Sequence, residues 1–328
     1  MSTDILDQKL VDSTIEFVSL SILSSCHEEY CYLPFFFVAR HHNATTLQSS
    51  FNENGGAVIP DFLSQDQVAN MRAEAQRLLE ELDVASHPMT VFSTGTEGKE
   101  HVGDNYFFDS WNKASYFFEE GAIGEDGQLK VDKEKSINKI GHGLHNILPV
   151  FTDVSLSPKI KQLAKSMGMK DPRVLQSMLI FKQPEIGGLV PPHQDSTFLY
   201  TEPVSARGFW FALEDCTLDN GCLEYIPKSH SVPISKRFVR KEGGLGTTFI
   251  DIPHDKSLLD KENEPYVPLE VKAGSLVLIH GNVLHRSSPN LSDKSRWIYT
   301  FHCIEGDYEY DEKNWLQPSA DSELTRLL

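Results

Sequence analysis

Two stretches decide the fold class: Val174-Leu175-Gln176-Ser177-Met178-Leu179-Ile180-Phe181, and Pro191-Pro192-His193-Gln194-Asp195 just beyond it. The first is a long apolar run. The turn residues Pro184 to Gly188 close it off, so it reads as a strand. In the second, Pro191 and Pro192 disfavour helix, because proline lacks a backbone N–H and restricts the residue before it. On an extended backbone residues i and i+2 project to the same side, so His193 and Asp195 face one way. On a helix they would stand about 200° apart.

Outward from there the chain keeps this character. Gly208 to Leu213, Cys222 to Ile226, Gly274 to Ile279 and Trp297 to Cys303 read as further strands. Turn signals at Asp219-Asn220-Gly221 and Asn290 to Asp293 separate them. Upstream, Gly56 to Leu63 is a short apolar strand, and Ser64 with Gln67 forms a helix-start signature. Val68, Met71, Ala75, Leu78, Leu79 and Leu82 then recur at helical spacing, which marks a core-facing stripe. Ser136 to His142 leads into a second helical region. Ser157-Pro158 opens another helix, with Ile160, Leu163, Ala164 and Met167 on its apolar face and Gly168 at its end. The fold class expected is mainly β with flanking α-helices, a sandwich or barrel. Residues 51–328 form the domain. Residues 1–50 fit poorly with it, and read as a loosely packed extension or, over Val18 to Gln48, as translated intron sequence.

Composition narrows the function. The 328 residues carry 47 acids against 30 bases, a formal charge of −17. This excludes nucleic acid and anionic membrane surfaces as expected partners, because both need Lys/Arg clusters. The apolar run Leu33 to Ala39 is too short to span a bilayer. No targeting signal is recognised, so cytoplasm is the default expectation. Five cysteines, odd in number and irregularly spaced, favour a reducing compartment over a disulfide framework. Oligomeric state is not legible.

The aromatic group Tyr106, Phe107, Phe108, Trp111, Tyr116, Phe117 and Phe118 reads first as core and second as a pocket wall. The basic run Lys228, Lys236, Arg237, Arg240 and Lys241 reads as an exposed loop, or else as a surface for the phosphates of a thioester substrate.

His285 follows the apolar strand Leu276 to Ile279 and its Gly281 turn, which places it at a strand mouth. Two imidazoles and one carboxylate from two strands match the three-ligand face that holds non-haem Fe(II) and leaves positions open. Arg296 lies 11 residues beyond His285, on the next strand. Opening into the same cavity, it would bind a carboxylate bidentately. His280 is a competing third ligand, but five residues earlier it would face another way. His142, His145, His230 and His302 read as structural or as supports for the ligands. Zn hydrolysis is the rival chemistry and lacks an H-E-x-x-H signature. Surface or capped histidines are the bland alternative.

These residues carry a resemblance. His193-Gln194-Asp195, His285-Arg286-Ser287 and Arg296 resemble the phytanoyl-CoA dioxygenase family of Fe(II)- and 2-oxoglutarate-dependent oxygenases. Lys135 to His142, Pro191 to Pro203, Asn220 to Leu223, Ile226 to His230, Val277 to Gly281 and Asn314 to Pro318 add to it, over about Phe51 to Pro318. The resemblance implies a double-stranded β-helix (jelly-roll) core, with His193, Asp195 and His285 as iron ligands. It implies Arg296, with Ser287 beside it, as the partner of the far carboxylate of 2-oxoglutarate. Lys139, Met178 and Trp210 match positions lining the 2-oxoglutarate pocket of a relative. The implied reaction uses O2 and 2-oxoglutarate, releases succinate and CO2, and hydroxylates a small organic or acyl substrate. Related halogenases replace the carboxylate ligand with a small residue; Asp195 therefore favours hydroxylation. The alternative is an unproductive relative that binds iron and 2-oxoglutarate as a sensor.

Overall fold

A computed structural model describes residues 37–38, 44–94, 100–253, 264–319 and 322–328. Cys26, Cys31 and the turn residues Gly95 to Gly98 lie outside the described residues. A helix over Ala44–Asn54 crosses the boundary expected at residue 51, and its Phe51 is fully buried in the core.

Strands are numbered here in chain order. The larger sheet runs β1 (Phe37–Val38), β2 (Gly56–Ile59), β12 (Leu276–His280), β7 (Arg207–Ala212), β14 (Arg296–Glu305), β5 (Pro172–Lys182), β4 (Ile137–His142) and β3 (Ala114–Phe118). A short β15 (Thr325–Arg326) also pairs with β5. The smaller sheet runs β11 (Val267–Leu269), β8 (Leu223–Tyr225), β13 (His285–Ser287) and β6 (Val190–His193). A hairpin joins β9 (Lys236–Arg240) to β10 (Thr247–Asp251). Apart from the parallel β1–β2 pair, the pairings within the larger sheet are antiparallel. Two such sheets face to face make the double-stranded β-helix, with helices on the outer face of the larger one.

The alternation of strand side chains builds two cores from one sheet. On β14, Tyr299, Phe301 and Cys303 face outward into a cluster with Met71, Leu79, Phe151 and Leu163 from the helices. Ile298 faces inward, with Trp210 and Ala212 of β7, Val277 and Ile279 of β12, and Leu223 and Tyr225 of the smaller sheet. The larger sheet's central strands are buried on both faces, which is why they read as unbroken apolar runs.

The helix starts are as the sequence indicates. Gln65–Glu81 begins with a capping box between Ser64 and Gln67, and Pro158–Ser166 begins with Ser157 accepting from the Ile160 N–H. Gly168, just past the second helix, has φ +79°, a left-handed conformation that favours glycine. Two stretches differ from expectation. Ile137–His142 is itself strand β4, and the short helices Leu144–Ile147 and Pro149–Ser155 come only after it. The basic run is only partly loop: Lys236 to Arg240 is strand β9, because Phe238 and Val239 bury while the bases flank them, and Lys228 and Lys241 lie outside it.

Leu278→Ala, in the outer core at 0% exposure, is expected to lower unfolding free energy by about 2–5 kcal/mol, and Ser64→Ala by about 1 kcal/mol. Denaturant midpoints at unchanged slope would show this order; equal effects would mean that the outer core is less consolidated than its burial indicates.

Candidate active site

Pro191 and Pro192 sit in β6, the edge strand of the smaller sheet, where missing N–H groups cost no ladder bonds. Next to it, β13 pairs antiparallel so that His285 lies directly opposite His193. Their rings stand 4.2 Å apart, centre to centre. Asp195 is not on the strand. It opens a 3-10 turn (Asp195–Thr197), and its carbonyl accepts from the Phe198 and Leu199 N–H groups. The Ser196 N–H donates to the Gly281 carbonyl, tying that turn to the end of β12. Gly281 permits the approach: a Cβ there would stand 2.4 Å from Ser196 Oγ. Between His193 and Asp195, the buried Gln194 donates through Nε2 to the Val232 and Asn282 carbonyls.

His193 and His285 are held in the same way. His193 Nδ1 lies 2.9 Å from the Pro191 carbonyl, and His285 Nδ1 lies 2.9 Å from the Val283 carbonyl. A carbonyl only accepts, so each Nδ1 carries the hydrogen and each Nε2 keeps its lone pair. Those two Nε2 atoms lie 3.6 and 3.8 Å from the same oxygen of Asp195, Oδ1. Burial pushes the His285 imidazole down to about 4, helped by His193 and opposed by Asp195, so it is neutral at ordinary pH. For Asp195 burial works upward, but the facing imidazoles His302 and His285 outweigh it and hold the carboxyl well below its usual range. One atom from each of His193, Asp195 and His285 falls within 4.8 Å of the others. Two imidazole nitrogens and one carboxylate, converging on one point, fit a divalent first-row metal.

His280, the competing ligand, points elsewhere. Its Nδ1 accepts from the Asn282 N–H, and its ring packs near Phe51 and His230. His142 lines the cavity but is bound to Ser110 Oγ, and His145 is bound to Ser177 Oγ. His302 lies nearer the centre than the sequence indicates, with Nε2 3.3 Å from Asp195 Oδ2. The available signal is phase: His302 and Arg296 are an even number of residues apart on one strand, so they share its inner face.

A cavity of about 1270 Å³ between the sheets is lined by all eight candidate residues: His193, Asp195, His285, Arg296, Ser287, Lys139, Met178 and Trp210. At one end Arg296 is almost wholly buried and lies opposite Lys182 in the β14–β5 register. Its Nη2 donates to Ser287 Oγ at 3.2 Å, and its guanidinium carbon stands 5.8 Å from the Trp210 ring centre. Among the described residues no carboxylate stands within ion-pair distance of it, and its Nε has no partner. Lys182 spends its ammonium hydrogens on carbonyls, at 2.7 Å from Gly188 and 2.5 Å from Ser288. A buried guanidinium lacking an acid is costly unless an anion completes it. Lys139, also buried, holds its ammonium 3.3 Å above the Phe92 ring. Beyond the triad the wall is aromatic: Phe198, Phe238, Phe249 and His101 pack with centroids 5.1 to 6.1 Å apart.

Comparisons with known proteins place the chain in a family. The model of the family described as phytanoyl-CoA dioxygenase matches residues 51–298. The chain belongs to the phytanoyl-CoA dioxygenase family. It is 46% identical over 268 residues to a phytanoyl-CoA dioxygenase of Arabidopsis thaliana, covering 81% of this chain and 91% of that one. It is 45% identical over 277 residues to phytanoyl-CoA dioxygenase domain-containing protein 1 of Bos taurus, covering 83% and 94%. Among solved structures, EctD from S. alaskensis with 2-oxoglutarate and 5-hydroxyectoine shares the fold, with a TM-score of 0.56 at 19% identity over 84% of this chain and 82% of that one. The epimerase SnoN, in complex with Fe3+, alpha ketoglutarate and nogalamycin RO, gives a TM-score of 0.57 at 16% identity over 86% and 93%. Membership makes the chain a 2-oxoglutarate-dependent non-haem iron dioxygenase, with Fe(II), 2-oxoglutarate and O2 as its cofactor set. No helix among the described residues is long and apolar enough to cross a membrane.

Lys139 gives the ligand-free site a pH signature. Burial pulls its ammonium down to about 7, with Glu119 pulling the other way. From about pH 7 to 10 the unfolded chain therefore binds the proton that the fold gives up, and this group's cost to stability fades as pH rises. Lys139→Met is expected to stabilise the ligand-free protein near pH 7, with the gain shrinking toward pH 10. Thermal unfolding across that range checks it; a gain independent of pH would show that packing, not charge, is the cause.

Proposed function

We propose that His193, Asp195 and His285 hold Fe(II), that Arg296 with Ser287 binds the far carboxylate of 2-oxoglutarate, and that the enzyme hydroxylates a small, largely apolar organic substrate. The observation that carries this reading is Arg296. A buried guanidinium with no acid at ion-pair distance among the described residues opens into the cavity that holds the triad. Its planar fork matches a carboxylate, and Ser287 Oγ steadies one arm while donating its own hydrogen to the Gly221 carbonyl.

Bound iron and 2-oxoglutarate supply the oxidation, in which succinate and CO2 are released and one O2 oxygen passes to a substrate C–H bond. The chain's own residues supply position and environment. The Pro191 and Val283 carbonyls fix the tautomers of the two imidazole ligands. Lys139 adds a positive charge near a dianion, and Met178 and Trp210 give the cosubstrate apolar walls. Phe198, whose ring centre lies 5.9 Å from that of His193, begins the aromatic wall against which an apolar substrate would lie.

The basic run does not favour a surface for thioester phosphates. Arg237 pairs with Asp311 at 2.8 Å, Arg240 donates to the Trp315 carbonyl, Lys241 pairs with Glu100, and Lys228 pairs with Glu53. Lys236 sits over the Phe249 ring. The room beyond the triad favours a substrate-processing enzyme over a sensor with none.

Wild-type protein with Fe(II) and 2-oxoglutarate under anaerobic conditions is expected to show a weak visible charge-transfer band. Arg296→Ala should raise the 2-oxoglutarate needed for that band by roughly 10²-fold, the scale of losing one partner of a buried charge pair. Identical titrations would remove Arg296 from the cosubstrate site. Asp195→Ala should abolish succinate formation, and turnover retained by that variant would sink the ligand assignment.

A further inference from the structure

We infer that His302 is a positioning residue that makes Asp195 a one-oxygen metal ligand, and that Gln176 sets the His302 tautomer for that task. The inference rests on the reading of His193, Asp195 and His285 as metal ligands. Three imidazoles surround the Asp195 carboxylate, and they do not share it evenly. Nε2 of His193 and Nε2 of His285 both face Oδ1, at 3.6 and 3.8 Å, while Nε2 of His302 faces Oδ2 at 3.3 Å.

What touches Nδ1 sorts the three rings. For His193 and His285 it is a carbonyl, which only accepts, so their Nε2 atoms keep lone pairs. For His302 it is the side-chain amide Nε2 of Gln176, at 3.3 Å, which donates. Nδ1 of His302 is then the acceptor, and its Nε2 carries the hydrogen toward Oδ2. An ionised carboxylate accepts only, so this is the tautomer that the contact with Asp195 requires. This 3.3 Å contact engages Oδ2 and leaves Oδ1 as the oxygen toward which the two lone-pair imidazoles converge. Partners of this kind orient a ligand and tune its basicity.

The placement is rigid. His302 lies directly opposite Gln176 on β5 and Gly208 on β7 in the larger sheet, whereas the imidazole ligands come from the smaller sheet. His302 thus ties the carboxylate to the opposite wall of the sandwich.

The test is a Co(II) titration of metal-free protein, read by visible absorption and by calorimetry. It compares wild type, His302→Leu, His302→Gln and Gln176→Met. Wild type should bind one Co(II). His302→Leu should weaken binding roughly 10- to 100-fold and change the shape of the ligand-field bands as Oδ2 becomes free to chelate. His302→Gln keeps an N–H that can face Oδ2 and should restore most of the affinity and the wild-type band shape. Gln176→Met should weaken binding less than His302→Leu. A merely structural role would lower the thermal stability of the metal-free protein without altering the bands, and Gln would not rescue selectively. A folded His302→Leu protein with wild-type affinity and bands overturns the inference. If that variant does not fold, Gln176→Met decides: unchanged affinity and bands overturn it, and weakened binding supports it. Absence of a Co(II) site in wild type overturns the ligand reading itself, and this inference with it.

Discussion

Asp195 is a largely buried carboxylate with no lysine or arginine within ion-pair distance among the described residues; the groups that face it are imidazoles from both sheets, and of these His302 presents an N–H. Burying an uncompensated carboxylate is expensive, so its partners must be in place together. His193 and His285 reach it only because β6 and β13 pair with those residues opposite each other. His302 reaches it only because the larger sheet packs across the smaller one with its inner face toward the cavity. The carboxylate is therefore where the two halves of the sandwich meet chemically, and a bound divalent cation would neutralise the charge that neutral imidazoles leave in place.

The second constraint is the division of one sheet into two faces. Odd-numbered residues of β14 from Tyr299 to Cys303 enter the helix-covered core, and the even-numbered Arg296, Thr300 and His302 line the cavity. On β5, Gln176, Met178 and Lys182 line the cavity, while Leu179 faces the helices. The outer face is apolar and close-packed, so it can hold the backbone still. The inner face can then carry polar groups whose partners are each other or a ligand. Arg296 marks the limit of this arrangement. The fold supplies one hydroxyl for its guanidinium and leaves the remaining demand to an anion. Lys182 differs in kind, because its Nζ donates to carbonyls, and so do Arg237 and Arg240, tied to Asp311 and the Trp315 carbonyl.

Read by itself, the sequence determined the strand-rich character, two of the helix starts, and the candidates His193, Asp195, His285 and Arg296, which all line the cavity. The reason is local. Proline-proline disfavours helix, a Ser–Gln capping box marks a start, the close spacing of His193 and Asp195 marks a ligand pair, and strand ends supply His285 and Arg296. Met178 and Trp210 came from family resemblance alone, because an apolar residue in a strand buried on both faces carries no mark of which face it occupies. Only the tertiary structure decided that Asp195 opens a turn rather than continuing the strand, since the Gly281 carbonyl that helps to anchor this turn lies about 85 residues away in the chain. It also decided that Ile137 to His142 is a strand: its partners, β3 and β5, are set by sheet order and not by neighbours in sequence. The role of His302 was hidden for the same reason. A histidine's function depends on which atoms face its two ring nitrogens, and here both come from other strands or turns of the fold.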